Sequence, residues 1–97
     1  MNFGEAIESL KEGKKLTRMG WNATGMWIVL MPSLYLPAYN TQHTLKKVND
    51  RTAKHIGEDK PLDSQPYFAL WTAAQKWQPG WTPSTSDVLA EDYMIVE

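Results

Sequence analysis

The chain has 97 residues and no cysteine, which excludes disulfides, thiolate metal sites and cysteine nucleophiles. Its 10 basic and 11 acidic side chains give a formal net charge of -1, without the basic excess that general nucleic-acid binding requires. The longest apolar run, residues 26–31, is far shorter than a membrane-spanning helix. We therefore expect a single domain, 1–97, of a soluble intracellular protein with no membrane partner.

The chain is predicted to begin with a helix and a strand. Asn2 as N-cap and Glu5 three positions later form a variant of the capping box, and the apolar residues 3, 6, 7 and 10 share one face. Gly13 is expected to end this helix. A short strand through Arg18, a turn rich in glycine over residues 19–25 and a buried strand over 26–31 follow.

The middle of the chain is polar. Residues 33–36, flanked by prolines, are predicted to form a short extended segment. From about 40 to 65 we expect a polar insert that carries an amphipathic helix, with Gly57 as its C-terminal cap. The side chains that predict this helix keep an approximately helical spacing: Leu45, Val48, Thr52 and Ile56.

The last third returns to strand and turn patterns. Residues 67–72 have the composition of a strand, and residues 77–81 are predicted to be a turn or linker. Ser84 is positioned to cap a short helix with Asp87 at its third position, before a final strand over 93–96. We therefore predict an α+β fold: a small, mostly antiparallel sheet with an N-terminal helix and the inserted amphipathic helix.

The sequence offers little support for catalysis. Asp87 and Glu91 would share a helix face and could act as general acid and base, but an acid in the first turn more often caps the helix. His43 and His55 lack the spacing of a metal site, and the glycines match no phosphate-binding loop. We expect a protein that is not an enzyme and has neither a metal nor a cofactor.

The composition favours binding instead. Five tryptophans and four tyrosines accompany two phenylalanines, and rings with a flat face and a polar tip suit partly wet surfaces. Stacking a nucleobase on an indole contributes about 1–3 kcal/mol, while short polar groups can hold ribose and base edges. Two segments combine both features: Arg18, Trp21, Asn22 and Thr24 in the first, and Trp81, Ser84, Thr85, Ser86 and Asp87 in the second.

Both ends of the chain resemble one family of phage and prophage proteins, the Thoeris anti-defence 2 proteins. The resemblance is carried by five short segments: NFGEA at 2–6, GKK at 13–15, GWN at 20–22, GWTPS at 80–84 and DVLAEDY at 87–93. Tyr93 stands where the family often has tryptophan, and the polar insert looks like one that only some members carry.

The resemblance implies a homotetrameric α+β protein that works in the bacterial host cytoplasm. Such a protein sequesters, without cleaving it, a cyclic ADP-ribose isomer made by TIR-domain defence proteins. Its partners would be this small cyclic nucleotide and further copies of the chain. Carried onto this sequence, Trp27 and Trp71 become candidates for the pocket wall. In such a pocket, Arg18 or backbone amides would meet the phosphates. The ligand-binding positions implied in this way are Arg18, Trp21, Asn22, Trp27, Trp71, Ser84, Thr85 and Asp87.

Three alternatives stay open on the residues alone. The ligand could be a cyclic di- or trinucleotide of another defence system. The protein could also be a small nucleotide hydrolase that uses Asp87 and Glu91. Finally, the indole-rich surfaces could serve only as contacts between proteins.

Overall fold

Three helices and seven strands make up the fold in a computed structural model, which describes residues 1–97. It is the predicted α+β arrangement, with a mostly antiparallel sheet. The helices are α1 (Phe3–Lys11), α2 (Asp50–Ile56) and α3 (Thr85–Leu89). The strands are β1 (Lys15–Arg18), β2 (Trp27–Met31), β3 (Leu34–Leu36), β4 (Leu62–Ser64), β5 (Tyr67–Trp71), β6 (Trp77–Pro79) and β7 (Tyr93–Val96). No helix is long and apolar enough to cross a bilayer.

The chain divides into two compact units. The first unit combines Met1–Met31 with Tyr67–Glu97, and the second is Pro32–Pro66. The predicted polar insert at 40–65 falls within the second unit.

The first unit contains an antiparallel sheet with the strand order β6-β5-β2-β1-β7. Helix α1 begins as the sequence predicts, because the Asn2 side chain accepts from the Glu5 N–H at 2.9 Å and Glu5 accepts from the Asn2 N–H at 3.0 Å. Its apolar face joins one face of the sheet in a common core. The fully or nearly buried members of this core are Ala6, Leu10, Leu16, Ile28 and Tyr93.

Strand β6 corrects the prediction of a linker after residue 76. Trp77 pairs with Trp71 on β5, and Pro79 pairs with Ala69. A proline is tolerated there because β6 is the outermost strand, where a missing N–H removes no hydrogen bond inside the sheet.

The second unit contains the short β3–β4 pair and α2. The inserted helix is confirmed, but it begins only at Asp50, because Asn49 caps it by accepting from the Thr52 N–H at 2.8 Å. Leu45 was expected on its apolar face; instead it precedes the helix and is 97 % exposed. Gly57 caps the C-terminus as predicted. Strand β4, which the sequence analysis did not predict, pairs with β3.

Candidate functional site

The candidate site lies where the end of β1 meets α3 and β7. Arg18 is two residues beyond the buried Leu16 on β1, so its side chain points to the same face of the sheet, toward the core. Ser84 caps the N-terminus of α3 as predicted, because its hydroxyl accepts from the Asp87 N–H and Asp87 accepts from the Ser84 N–H. This reciprocal capping directs the Asp87 carboxylate toward Arg18.

Arg18 is held between two carboxylates. Its Nη1 donates to Asp87 Oδ1 at 2.6 Å, and its Nε donates to Asp92 Oδ1 at 2.8 Å. The side chains of Arg18 and Asp87 are only 13 % and 12 % exposed, so water screens this pair weakly. Charge-assisted hydrogen bonds of this kind are about twice as strong as neutral ones. We call Arg18, Asp87 and Asp92 the carboxylate cluster.

Both carboxylate oxygens of Asp87 accept further hydrogen bonds from neighbouring donors. The indole Nε1 of Trp21 donates to Oδ1 at 3.1 Å, while the Ser84 N–H and hydroxyl both donate to Oδ2 at 2.9 Å. The Tyr93 hydroxyl donates to the Asp87 backbone carbonyl at 2.7 Å. The turn after β1, the start of α3 and β7 therefore meet at one residue.

These contacts set the ionisation of the cluster. Burial acts to raise the pKa of Asp87, but the hydrogen bonds from Ser84, Trp21 and Arg18 outweigh it and lower that pKa to about 2. The hydrogen bond from Arg18 also lowers the pKa of Asp92. Burial, assisted by the nearby Asp87 charge, raises the pKa of Tyr93 to about 12. Both carboxylates are thus anionic at neutral pH, and with one guanidinium the cluster has a formal charge of -1.

Asp92 also fixes the turn that carries Trp21. Its Oδ2 accepts from the Gly20 N–H at 2.7 Å. A Cβ at position 20 would lie 2.7 Å from that oxygen and 3.0 Å from Arg18 Nη2, so the contact requires glycine. Asp92 and Tyr93 were not predicted from the sequence as part of the site. The signal that could have found Asp92 is the position of Arg18 on the core face of a strand, where a cation needs an acidic partner.

Trp27 and Trp71 lie on the other face of the sheet. They are directly paired across β2 and β5, next to the core-facing Ile28 and Leu70, and their rings stack with centroids 5.7 Å apart at 12°. Trp77 and Lys15 extend this row: the Trp77 ring centroid is 6.1 Å from that of Trp27, and Lys15 Nζ is 4.8 Å from the Trp27 ring. The structure therefore separates these two predicted pocket residues from the carboxylate cluster.

The other predicted residues stay together. Trp21 packs edge-on against Trp81, with centroids 6.3 Å apart, at the border of the core. Asn22 and Thr85 are next to the clustered residues in sequence, are exposed, and have no side-chain hydrogen bond within the protein. Asn22 and Thr85 can therefore offer an amide and a hydroxyl to a ligand, while Trp21 and Ser84 support Asp87.

The expected pairing of Asp87 with Glu91 on one helix face is wrong, because α3 ends at Leu89 and Glu91 lies beyond it. Helix α3 stops there since the Ala90 backbone is extended. The two acids that do come together are Asp87 and Asp92, joined through Arg18. His, Asp and Glu side chains nowhere form a group of three suited to a metal ion.

Comparison with known proteins gives a match over almost the whole chain. Residues 1–96 match the family model described as a Thoeris anti-defense 2-like domain. A protein of Bacillus phage SP01 named "Thoeris anti-defense 2" is 33 % identical over 96 residues, which cover 99 % of this chain and 94 % of the relative.

Proposed function

This chain belongs to the Thoeris anti-defense 2-like family, and from that premise we propose that it counters bacterial Thoeris defence by binding a cyclic nucleotide signal without cleaving it. The ligand class proposed is a cyclic ADP-ribose isomer made by TIR-domain proteins. The observation that carries the proposal is the family match over residues 1–96, which includes both segments that form the candidate site. The protein would act in the cytoplasm of the bacterial host.

The site supports this proposal through the groups it leaves open. Asn22 and Thr85 are exposed polar side chains that directly follow Trp21 and Ser84, two donors to Asp87, and such groups suit ribose hydroxyls and base edges. Because Arg18 is already paired with two carboxylates, we assign it a positioning role in place of direct contact with phosphates. The formal charge of -1 at the cluster also favours the sugar or base of the ligand over its phosphates there.

The protonation state of Asp87 supports binding over hydrolysis. A general base must accept a proton near neutral pH, whereas the pKa of Asp87 is about 2 and both of its oxygens accept hydrogen bonds from the protein. Glu91, the second carboxylate of the hydrolase alternative, lies outside α3. A protein that binds the signal without cleaving it, which we call a trap, needs neither carboxylate as an acid or a base.

We also propose that the trap is a homo-oligomer, with a tetramer as the expected state. The single chain has no enclosed pocket, so a ligand on one copy would lie on an open surface. Ligand sites usually bury most of the ligand. A second copy placed beside the site would supply the missing wall.

The proposal is tested by calorimetry of the purified protein against cyclic ADP-ribose isomers and cyclic di- and trinucleotides, followed by mass spectrometry of the ligand released by heat. We expect one ligand class to bind and to be recovered intact. Asn22→Ala and Thr85→Ala should each weaken binding by about tenfold, which corresponds to about 1.4 kcal/mol.

Asn40→Ala, an exposed asparagine in the second unit, is the matched control and should bind like the unaltered protein. Recovery of a hydrolysed ligand would move the protein to the hydrolase alternative. Failure to bind any of these nucleotides would overturn the proposal and favour a role in protein contacts.

A further inference from the structure

Exposed apolar side chains lie on β7 and in the segments just before it and beside its start. Met19 lies beside the start of β7, because its N–H donates to the Asp92 carbonyl at 3.3 Å. In the first unit, Trp77 is the one large exposed apolar side chain outside this group. Large exposed apolar surfaces beside polar groups mark interaction sites. We call the following residues the β7 patch: Met19, Val88, Leu89, Met94 and Ile95.

The backbone of β7 has hydrogen-bonding groups that no strand of the chain uses. Strand β7 is the last strand of its sheet. The Asp92 carbonyl accepts from Met19, on the side of β1, whereas the N–H and carbonyl of Tyr93 bond to Met1. Because the direction alternates along an antiparallel strand, the N–H and carbonyl of Ile95 point outward, as those of Tyr93 do.

The side chains of β7 do nothing to block pairing at this edge. Protein edges are commonly protected by charged residues, by proline or by a bulge. The strand reads Tyr-Met-Ile-Val and has neither a charge nor a proline. Two consecutive residues, Met94 and Ile95, are 45 % and 42 % exposed and point to opposite faces of the sheet.

We propose that the β7 patch binds a second copy of this chain through antiparallel pairing of the two β7 strands about a two-fold axis at Ile95. The two Ile95 residues would exchange both backbone hydrogen bonds, and Met94 would face Val96 of the partner subunit, which keeps apolar side chains opposite one another. Met1 already occupies the outward groups of Tyr93, so a long foreign strand would be obstructed. A short two-fold pairing fits the open stretch, because each copy offers the same three residues.

This inference rests on the homo-oligomer proposed above and adds the surface that forms it. A stable interface buries roughly 800 Å² on each partner, compared with the 7002 Å² surface of the chain. Three paired residues bury less than that, so the proposal requires Val88 and Leu89 of α3 to join the contact. Since Val88 follows Asp87 in α3, a second copy that contacts Val88 would also lie near the carboxylate cluster.

The absence of cysteine provides a direct test. Opposed residues in such a hydrogen-bonded pair have Cα atoms about 5.5 Å apart, within the range that a disulfide spans. Ile95→Cys should therefore give a disulfide-linked dimer as the main product of mild oxidation. The matched control is Leu34→Cys, an apolar strand residue of similar exposure, 49 %, in the second unit, which should remain largely unlinked. Equal linking of the two variants would overturn the proposal.

A second measurement is the self-association constant from sedimentation equilibrium. Met94→Lys and Ile95→Lys should each weaken association at least tenfold with an unchanged circular dichroism spectrum, and Leu34→Lys should not. Unaltered association of both β7 variants, or a monomeric unaltered protein, would refute the proposal. Nucleotide calorimetry on the same samples distinguishes this proposal from the proposed function. A protein that associates through β7 but binds no nucleotide would refute only the proposed nucleotide binding.

Discussion

Asp87→Asn tests the carboxylate cluster most directly, because it removes a charge with little change in shape. The asparagine has one acceptor oxygen in place of two, so it cannot accept from Arg18 and Trp21 on one side and from the Ser84 N–H on the other. Losing a hydrogen bond to a charged group costs about 1.5–3 kcal/mol, and breaking a buried ion pair costs about 3–5 kcal/mol. Asp92 still partners Arg18, which limits the loss, so we expect about 2–4 kcal/mol less stability.

The assays are urea unfolding and thermal unfolding, each monitored by tryptophan fluorescence and circular dichroism. A loss of this size should lower the melting temperature by roughly 10–25 °C in a domain of this length. The matched control is Asp63→Asn, an exposed aspartate on β4, where we expect a change within about 0.5 kcal/mol. If Asp87→Asn costs less than about 1 kcal/mol, the cluster does not stabilise the junction of β1, α3 and β7 as argued.

Three further predictions concern the same junction. Because the folded-state pKa of Asp87, about 2, lies below its ordinary value of 3.8, its contribution is complete above about pH 4 and is lost as the pH falls toward 2. Urea unfolding at several pH values should therefore show a decline on the order of 2 kcal/mol over that window, which Asp87→Asn should remove. Gly20→Ala should cost about 1–3 kcal/mol in thermal unfolding, because its Cβ would crowd Asp92. Gly4→Ala in α1, where a Cβ meets no atom closer than 3.5 Å, should instead stabilise by up to about 1 kcal/mol. Tyr93→Phe should lower the unfolding free energy by about 1 kcal/mol, because it deletes the hydrogen bond to the Asp87 carbonyl. An unchanged unfolding free energy would mean that this hydrogen bond is no more favourable than the bonds the hydroxyl makes to water in the unfolded chain.

The sequence predicted the elements whose signals are local. The Asn2–Glu5 and Ser84–Asp87 pairs are three residues apart, so capping chemistry can be read without knowing the fold. Strands β4 and β6 were missed because each is defined by its pairing with another strand, β3 and β5 respectively. Leu45 was wrongly expected in α2 because its spacing fits a helix, whereas the helix begins after the Asn49 cap.

The candidate site could be predicted only in part, for the same reason. Arg18, Trp21, Ser84 and Asp87 were expected near one another through the resemblance, and the structure brings them together. Asp92 was missed because its contact with Arg18 spans 74 positions in the chain. Trp27 and Trp71 were also grouped with the site through the resemblance, yet strand alternation turns Trp27 away from the face that carries Arg18. Their role as a pocket wall stays a prediction.

The geometry of the cluster explains why two segments at opposite ends of the chain, residues 18–21 and residues 84–92, act as one feature. The first segment supplies the donors: the Arg18 guanidinium, the Gly20 N–H and the Trp21 indole. The second supplies the acceptors, Asp87 and Asp92. Neither segment can bury its polar groups alone without the cost of unpaired donors or charges, so each depends on the other to be stable in this conformation. A substitution in either segment should therefore disturb the exposed groups of both, including Asn22 and Thr85, even though these two make no contact in the cluster. Ligand binding at this junction should then fall with any loss of the cluster, and a loss of binding in Trp27→Ala or Trp71→Ala would mean that the opposite face of the sheet also contributes.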